Sequence, residues 1–175
     1  AGSVVTPLHH PARLAEEWAV VDNLSKGRVG ISVANGWHDR DFALQPENFA
    51  DRRAVMRQSI DTVRRLWQGE TVSFKGGRGN AVEVQTYPRP IQRELPLWVT
   101  AAGNPETFKL AGEVGAGVLT HLLGQELEDL AKKIDIYRRA WRDAGHGGDG
   151  CVTLALHTFV GDDLEQVKAT VKEPM

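Results

Sequence analysis

Cysteine is nearly missing from this chain. Cys151 stands alone among 175 residues, which excludes an intrachain disulfide and fits a reducing compartment. No apolar run approaches the roughly 18 residues that a membrane span requires, and no signal-peptide pattern is visible. Charge of one sign is not in excess either. The 21 Lys and Arg stand against 23 Asp and Glu, for a formal net charge of -2, so there is no electrostatic ground for binding nucleic acid. His, Cys and carboxylates do not fall at spacings that hold a metal. The expectation is a cytoplasmic protein with no membrane, nucleic-acid or metal partner. With 41% apolar residues, the chain has enough for one ordinary core.

What is present alternates between strand and helix periods from end to end. "GSVVTPL" reads as a strand and "PARLAEEWAVVDNLSKG" as a helix opened by Pro11, with Leu14, Trp18, Val21 and Leu24 on one face and Gly27 as its stop. "RVGISVA" is a buried strand, and "PENFADRRAVMRQSIDTVRRLWQG" is a helix ended by Gly69. "TVSFKGGRGNAVEVQTYP" reads as a hairpin, and "PRPIQRELP" is too rich in proline for either regular element. Strand "LWVTAA", helix "PETFKLAGEVG", strand "AGVLTHLL", helix "QELEDLAKKIDIYRRAWRDAG", strand "CVTLALHTFV" and helix "DLEQVKATVKE" follow. Such a rhythm predicts a parallel sheet covered by helices. No glycine-rich turn follows the first strand with an acid about 20 residues on, which argues against a dinucleotide-binding open sheet. The unusual residues instead fall after strands, where a barrel builds its site: "PLHHP", "NGWHDRDF", "AAGNPET" and "THLLG". The second of these asks most of its loop, since a simple turn needs neither Trp37 nor His38. Arg52, Arg53, Arg57, Arg64 and Arg65 are interleaved with acids, the pattern of a solvated helix face, with Arg53 set apart below.

Together, "PLHHPARLAEEWAVVDNLSKGRVGISVANGWHDRDF", "RRAVMRQSIDTVRRLWQGE", "LPLWVTAAGNPETFKLAGEVGAGVLTHLLGQ" and "LHTFVGDD" resemble the bacterial luciferase-like flavin monooxygenases. The resemblance is strongest to members found beside or inside polyketide and nonribosomal-peptide assembly lines. It implies an α/β fold, the (β/α)8 TIM barrel of the bacterial luciferase type. Residues 1–175 would form the incomplete central portion of one barrel domain, about strands 3 to 7, with a hairpin and proline-rich insertion at about 70–95. A barrel of this kind takes roughly 250 residues, so a longer polypeptide is expected.

The resemblance also implies FMN across the C-terminal face of the barrel. Its phosphate would meet the helix start formed by Ala102, Gly103, Asn104 and Thr107, where backbone N–H groups favour an anion. Asn104 also suits the N-cap, with Pro105 first in the helix. Arg53 falls where the family places a phosphate-binding arginine. Asn35 stands where the family often has another, so one cation is replaced by an amide. Ala34, Asn35 and Gly36 would approach the flavin ring, and Trp37 and His38 would wall it, unless Trp37 packs under its loop as core. Gly2 and Ser3 match the position of a cis, non-proline peptide under the ring.

The implied reaction uses FMNH2, supplied by a separate flavin reductase, to activate O2 as a flavin C4a-hydroperoxide. The substrate would be a small molecule, free or bound to a carrier protein, and the enzyme a homodimer or a domain of a larger synthase. The family's acid/base histidine is expected upstream of this stretch; within it His38 and His121 are the catalytic candidates, and His10 reads as structural. Two alternatives stay open: an F420- or NAD(P)H-linked oxidoreductase on the same barrel, and a non-catalytic luciferase-like subunit or domain.

Overall fold

Branched apolar residues at every second strand position give one face of a sheet to the core. In the computed structural model, which describes residues 2–172, these positions stack across neighbours. The chain runs β1 (Val4–Val5), α1 (Pro11–Ser25), β2 (Ile31–Ala34), α2 (Arg52–Gln68), β3 (Val72–Lys75), β4 (Ala81–Val84) and β5 (Leu97–Thr100). It continues with α3 (Pro105–Glu113), β6 (Gly117–His121), α4 (Leu127–Asp143), β7 (Val152–Ala155) and α5 (Leu164–Val171). Five strands pair in parallel in the order β1-β2-β5-β6-β7. Apart from the separate antiparallel hairpin β3–β4, sheet order follows chain order. An open doubly wound sheet would reverse direction at a switch point; this one does not, so it is an arc of a barrel.

Register sorts the side chains into two faces. Ile31 lies beside Leu97, and Val33 beside Val99, which lies beside Val118. All of these are buried, beneath Met56, Ile60, Val63 and Trp67 of α2, Phe108 and Ala111 of α3, and Leu130 and Tyr137 of α4. The opposite, interior face carries Ser32 beside Trp98, Trp98 beside Gly117, and Thr100 beside Leu119. Trp98 needs its glycine neighbours. A Cβ on Gly30 would lie 2.8 Å from its ring, and one on Gly117 2.5 Å.

The helix stops fall where expected. Lys26 and Gly27 take positive φ after α1, and Gly69 has φ 91 after α2. The buried face of α1 differs from the expected one. Leu14, Ala15, Ala19 and Asp22 are buried and Trp18 partly so, whereas Val21 is 41% and Leu24 79% exposed. Small alanines let α1 approach closely, and the buried carboxylate is satisfied. Asp22 accepts from Ile91 N at 2.7 Å, Gln92 N at 2.9 Å and Gln92 Nε2 at 2.7 Å.

These bonds pin the proline-rich segment after the hairpin, helped by Trp67 Nε1 donating to Gln92 O at 2.9 Å. The arginines of α2 are not all solvated either. Arg64 donates to the carbonyls of Val114 and Gly115, closing the end of α3, and burial pulls its pKa below the ordinary guanidinium value. The last strand is shorter than "CVTLALHTFV" suggests, because β6 offers it partners only as far as His121 beside Ala155. No helix among the described residues is long and apolar enough to cross a membrane, and none of their His, Cys, Asp and Glu groups could hold a metal ion.

Candidate active site

Because β1, β2, β5 and β6 are parallel neighbours, the four unusual loops emerge at one end of the sheet. The peptide between Gly2 and Ser3 is cis, as the resemblance implies, and a Cβ on Gly2 would lie 3.1 Å from Ser32 Cβ and 3.2 Å from Leu119 Cδ2. Gly2 therefore sits over the interior face. Thr100 Oγ1 bonds Ser3 Oγ at 2.5 Å and Ser32 Oγ at 2.6 Å, so hydroxyls from β2, β5 and the residue before β1 form one chain. Strand alternation puts Ala34 on the same face as Ser32, half-buried and small. Among the described residues this face offers glycine, alanine and hydroxyls above the indole of Trp98.

The loop after β2 behaves in two ways. Gly36 has φ 84, and a Cβ there would strike the Phe42 ring at 2.7 Å, so its glycine serves the turn and the packing of Phe42. Asn35 is half-buried beside it. Trp37 is 83% exposed, which rules out core packing, and it stacks on His38 at 5.1 Å between ring centres.

At the start of α3, Asn104 Oδ1 accepts from Glu106 N at 2.9 Å, and Thr107 N donates to Asn104 O at 3.1 Å. Asn104 is thus the N-cap, with Pro105 first in the helix. Ala102 and Gly103 are exposed, and nothing lies within 4 Å of a Cβ built on Gly103. The loop is open where a phosphate would sit.

The two arginines exchange their expected settings in part. Arg52, expected at the surface, is half-buried, donating to Phe49 O at 2.9 Å with its guanidinium 4.8 Å from the Phe49 ring centre. Arg53 is exposed, and among the described residues its side chain has no hydrogen bond or ion pair. It lies one turn before Arg57 on the α2 stripe that meets α3, where Arg57 Nη1 bonds Glu113 Oε2 at 2.6 Å. Both helices lead away from the C-terminal ends of parallel strands, so Arg53 is the member of that stripe nearest the loops.

His10 is structural, its Nδ1 accepting from Ala12 N at 3.3 Å as N-cap of α1. His121 alternates with Thr120 and shares the interior side of Leu119. Leu123 N donates to its Nδ1 at 3.1 Å, which leaves the proton of the neutral ring on Nε2. His38 is exposed and caps nothing with its side chain.

Sequence reading missed Ser32, Trp98, Thr100 and Lys133. Ser32 had a local signal, since Gly30, Ser32 and Ala34 are small residues at alternate positions of one strand, which marks room on that face; Trp98, Thr100 and Lys133 had none.

Comparison with known proteins agrees with this architecture. A family model described as luciferase-like monooxygenase matches residues 1–175. An F420-dependent glucose-6-phosphate dehydrogenase of Amycolatopsis mediterranei is 37% identical over 132 residues, covering 71% of this chain and 39% of its own length. The oxygenase component of a flavin-dependent trigonelline monooxygenase from Acinetobacter baylyi is 28% identical, covering 98% of this chain and 48% of its own. The crystal structure of monooxygenase RslO1 from Streptomyces bottropensis superposes with a TM-score of 0.82 at 25% identity, over 98% of this chain and 53% of that one. The chain thus spans about half the length of such relatives or less. A parallel barrel arc, a cis peptide over its interior and an open helix-start loop at the same end accord with that match along the whole chain: it belongs to the luciferase-like monooxygenase family of oxidoreductases.

Proposed function

We propose that the protein is a monooxygenase that binds FMNH2, reacts it with O2 and oxygenates a small organic substrate. The observation that carries this reading is the interior face at the C-terminal end. Gly2, Ser32, Ala34 and Thr100 leave room for a flat ring above Trp98, and the exposed Ala102–Gly103 stretch opens towards the start of α3. These residues fit a ring with a single phosphate. When bound, reduced flavin supplies the electrons that activate oxygen.

The chain's own part is to seat, orient and shield that group. Ser3, Thr100 and Ser32 share two hydrogen bonds, so one hydroxyl proton remains to donate to a ring edge. The N–H groups of Gly103 and Asn104, just before α3, with Arg53, receive the phosphate, since those of Glu106 and Thr107 are bonded to Asn104. Trp37 and His38, stacked and exposed, cover the mouth and keep water from the reacting atoms. A separate reductase supplies FMNH2. The sequence resemblance to assembly-line members makes a natural-product intermediate, free or on a carrier protein, the substrate class.

Hydride transfer with F420 is the second reading, because of the 37% identity to an F420-dependent dehydrogenase. That alignment covers 71% of the chain, whereas the flavin-dependent relative covers 98%, which favours the flavin. The two separate in one experiment on the product of the full reading frame. Free FMNH2 consumes oxygen without any protein, so the readout is its lifetime and the preferred cofactor: slower appearance of oxidised FMN in air than with FMNH2 alone, and tighter equilibrium binding of FMN than of F420, is the expected result. Tenfold tighter binding of F420, with FMNH2 oxidised as fast as the free flavin, would overturn it.

A further inference from the structure

Lys133 is a buried cation without a countercharge. It lies in the second turn of α4, 8% exposed, and among the described residues it forms no ion pair. Its Nζ donates to Gln125 Oε1 at 2.5 Å and reaches Ala102 O at 3.5 Å. The Gln125 amide passes the connection on, donating to the His121 carbonyl and, at 3.4 Å, to Thr120 Oγ1. A neutral amide and a carbonyl do not balance a full charge, and an ammonium removed from water without an anion costs several kcal/mol.

Buried charge elsewhere in the chain is better served. Asp22 takes three N–H donors, and Arg64 reaches two carbonyls at the negative end of α3. Lys133 lies at the other end of that helix. Ala102 begins the loop into the start of α3, where the aligned peptide dipoles repel a cation. Burial and position leave Lys133 short of the negative charge that an anion would supply.

The space for one is present. Among the described residues, no atom beyond its chain neighbours lies within 4 Å of a Cβ on Gly103, directly after the carbonyl that Lys133 contacts. We propose that Lys133 is a positioning residue for an anionic phosphate on this loop. It offsets the phosphate charge from behind, and it holds the Ala102 carbonyl inward so that the N–H groups that follow face the ligand. The inference rests on reading the Ala102–Asn104 loop as the phosphate seat.

Equilibrium binding by the product of the full reading frame tests both. The probes are FMN against riboflavin, and F420 against its phosphate-free deazaflavin core. The wild type should prefer the phosphate-bearing member of one pair. Lys133→Met should weaken that member at least tenfold while leaving its phosphate-free partner within about twofold, and Lys133→Arg should restore most of the loss. Lys133→Gln, which keeps a donor for Gln125 without the charge, should behave as Lys133→Met does and serves if the methionine variant does not fold. A wild type that does not distinguish the members of either pair, or binds none, refutes the phosphate seat itself. A wild type that does distinguish them, with variants that weaken both members equally or neither, refutes the role of Lys133 alone.

Discussion

Two adjacent arginines show how little separates a structural from a functional cation. Arg52 is folded onto Phe49, bonded to its carbonyl and placed against its ring, whereas Arg53 projects free on the stripe that meets α3. Their replacements should therefore be read by different instruments. Arg53→Ala is expected to weaken FMN binding by about 1 to 2 kcal/mol, the range for an exposed, charge-assisted contact, with the melting temperature unchanged. Arg52→Ala should lower stability by about 1 kcal/mol through the lost carbonyl and ring contacts and leave flavin affinity nearly as it was. Titration of FMN and thermal melts on both variants decide it; a loss of affinity at Arg52 alone would reverse the assignment.

Legibility at this scale was uneven for a physical reason. Asn104, Gly27 and Gly69 act through their own turns, so local sequence reveals them. Lys133 and Thr100 act through partners 31 and 68 residues away. Only the register of the sheet and the approach of α4 bring those partners near. A lysine within "ELEDLAKKID" looks like any charged helix position until the helix is placed.

Among the elements, α1 shows where periodicity misleads. Its larger apolar residues suggested Leu14, Trp18, Val21 and Leu24 as the inner stripe. The helix keeps Leu14 and part of Trp18 inward but turns Ala15, Ala19 and Asp22 there in place of Val21 and Leu24, because the segment around Ile91 and Gln92 brings three N–H groups that only a carboxylate satisfies together. Asp22 is thus the clasp between a helix and a segment 69 residues later. Asp22→Ala should cost roughly 3 kcal/mol or more, since it strands buried donors, and urea denaturation would show it as a lower midpoint with an unchanged slope. A loss below about 0.5 kcal/mol, the size of an ordinary surface change, would mean that the proline-rich segment holds itself in place. The hairpin, the α/β rhythm and the glycine stops were readable because each depends on residues close in sequence.

On the scale of the molecule, β1 and β7 end the parallel sheet, each with one unpaired side among the described residues. Leu154, Leu156 and Phe159 are 38%, 56% and 54% exposed along and after β7. Open edges beside apolar surface favour association, so the 175-residue chain prepared alone should self-associate at micromolar concentration and bind flavin weakly. Light scattering against dilution measures this, and a monodisperse monomer with tight flavin binding would contradict it. The parallel α/β class was legible in the alternation of strands and helices, and the barrel in the unusual residues that follow the strands and in the family resemblance; the agreement of chain order with sheet order needed the structure.

Trp98 has one more consequence, and it is optical. The chain holds five tryptophans, of which Trp37 is at the surface and Trp98 lies wedged between Gly30 and Gly117 beneath the proposed ring seat. An indole in contact with a bound flavin hands its excitation over before it can emit. The floor of the barrel is therefore a lamp that dims when the seat above it is taken, and occupancy can be followed through the protein's own fluorescence, with no label and no turnover.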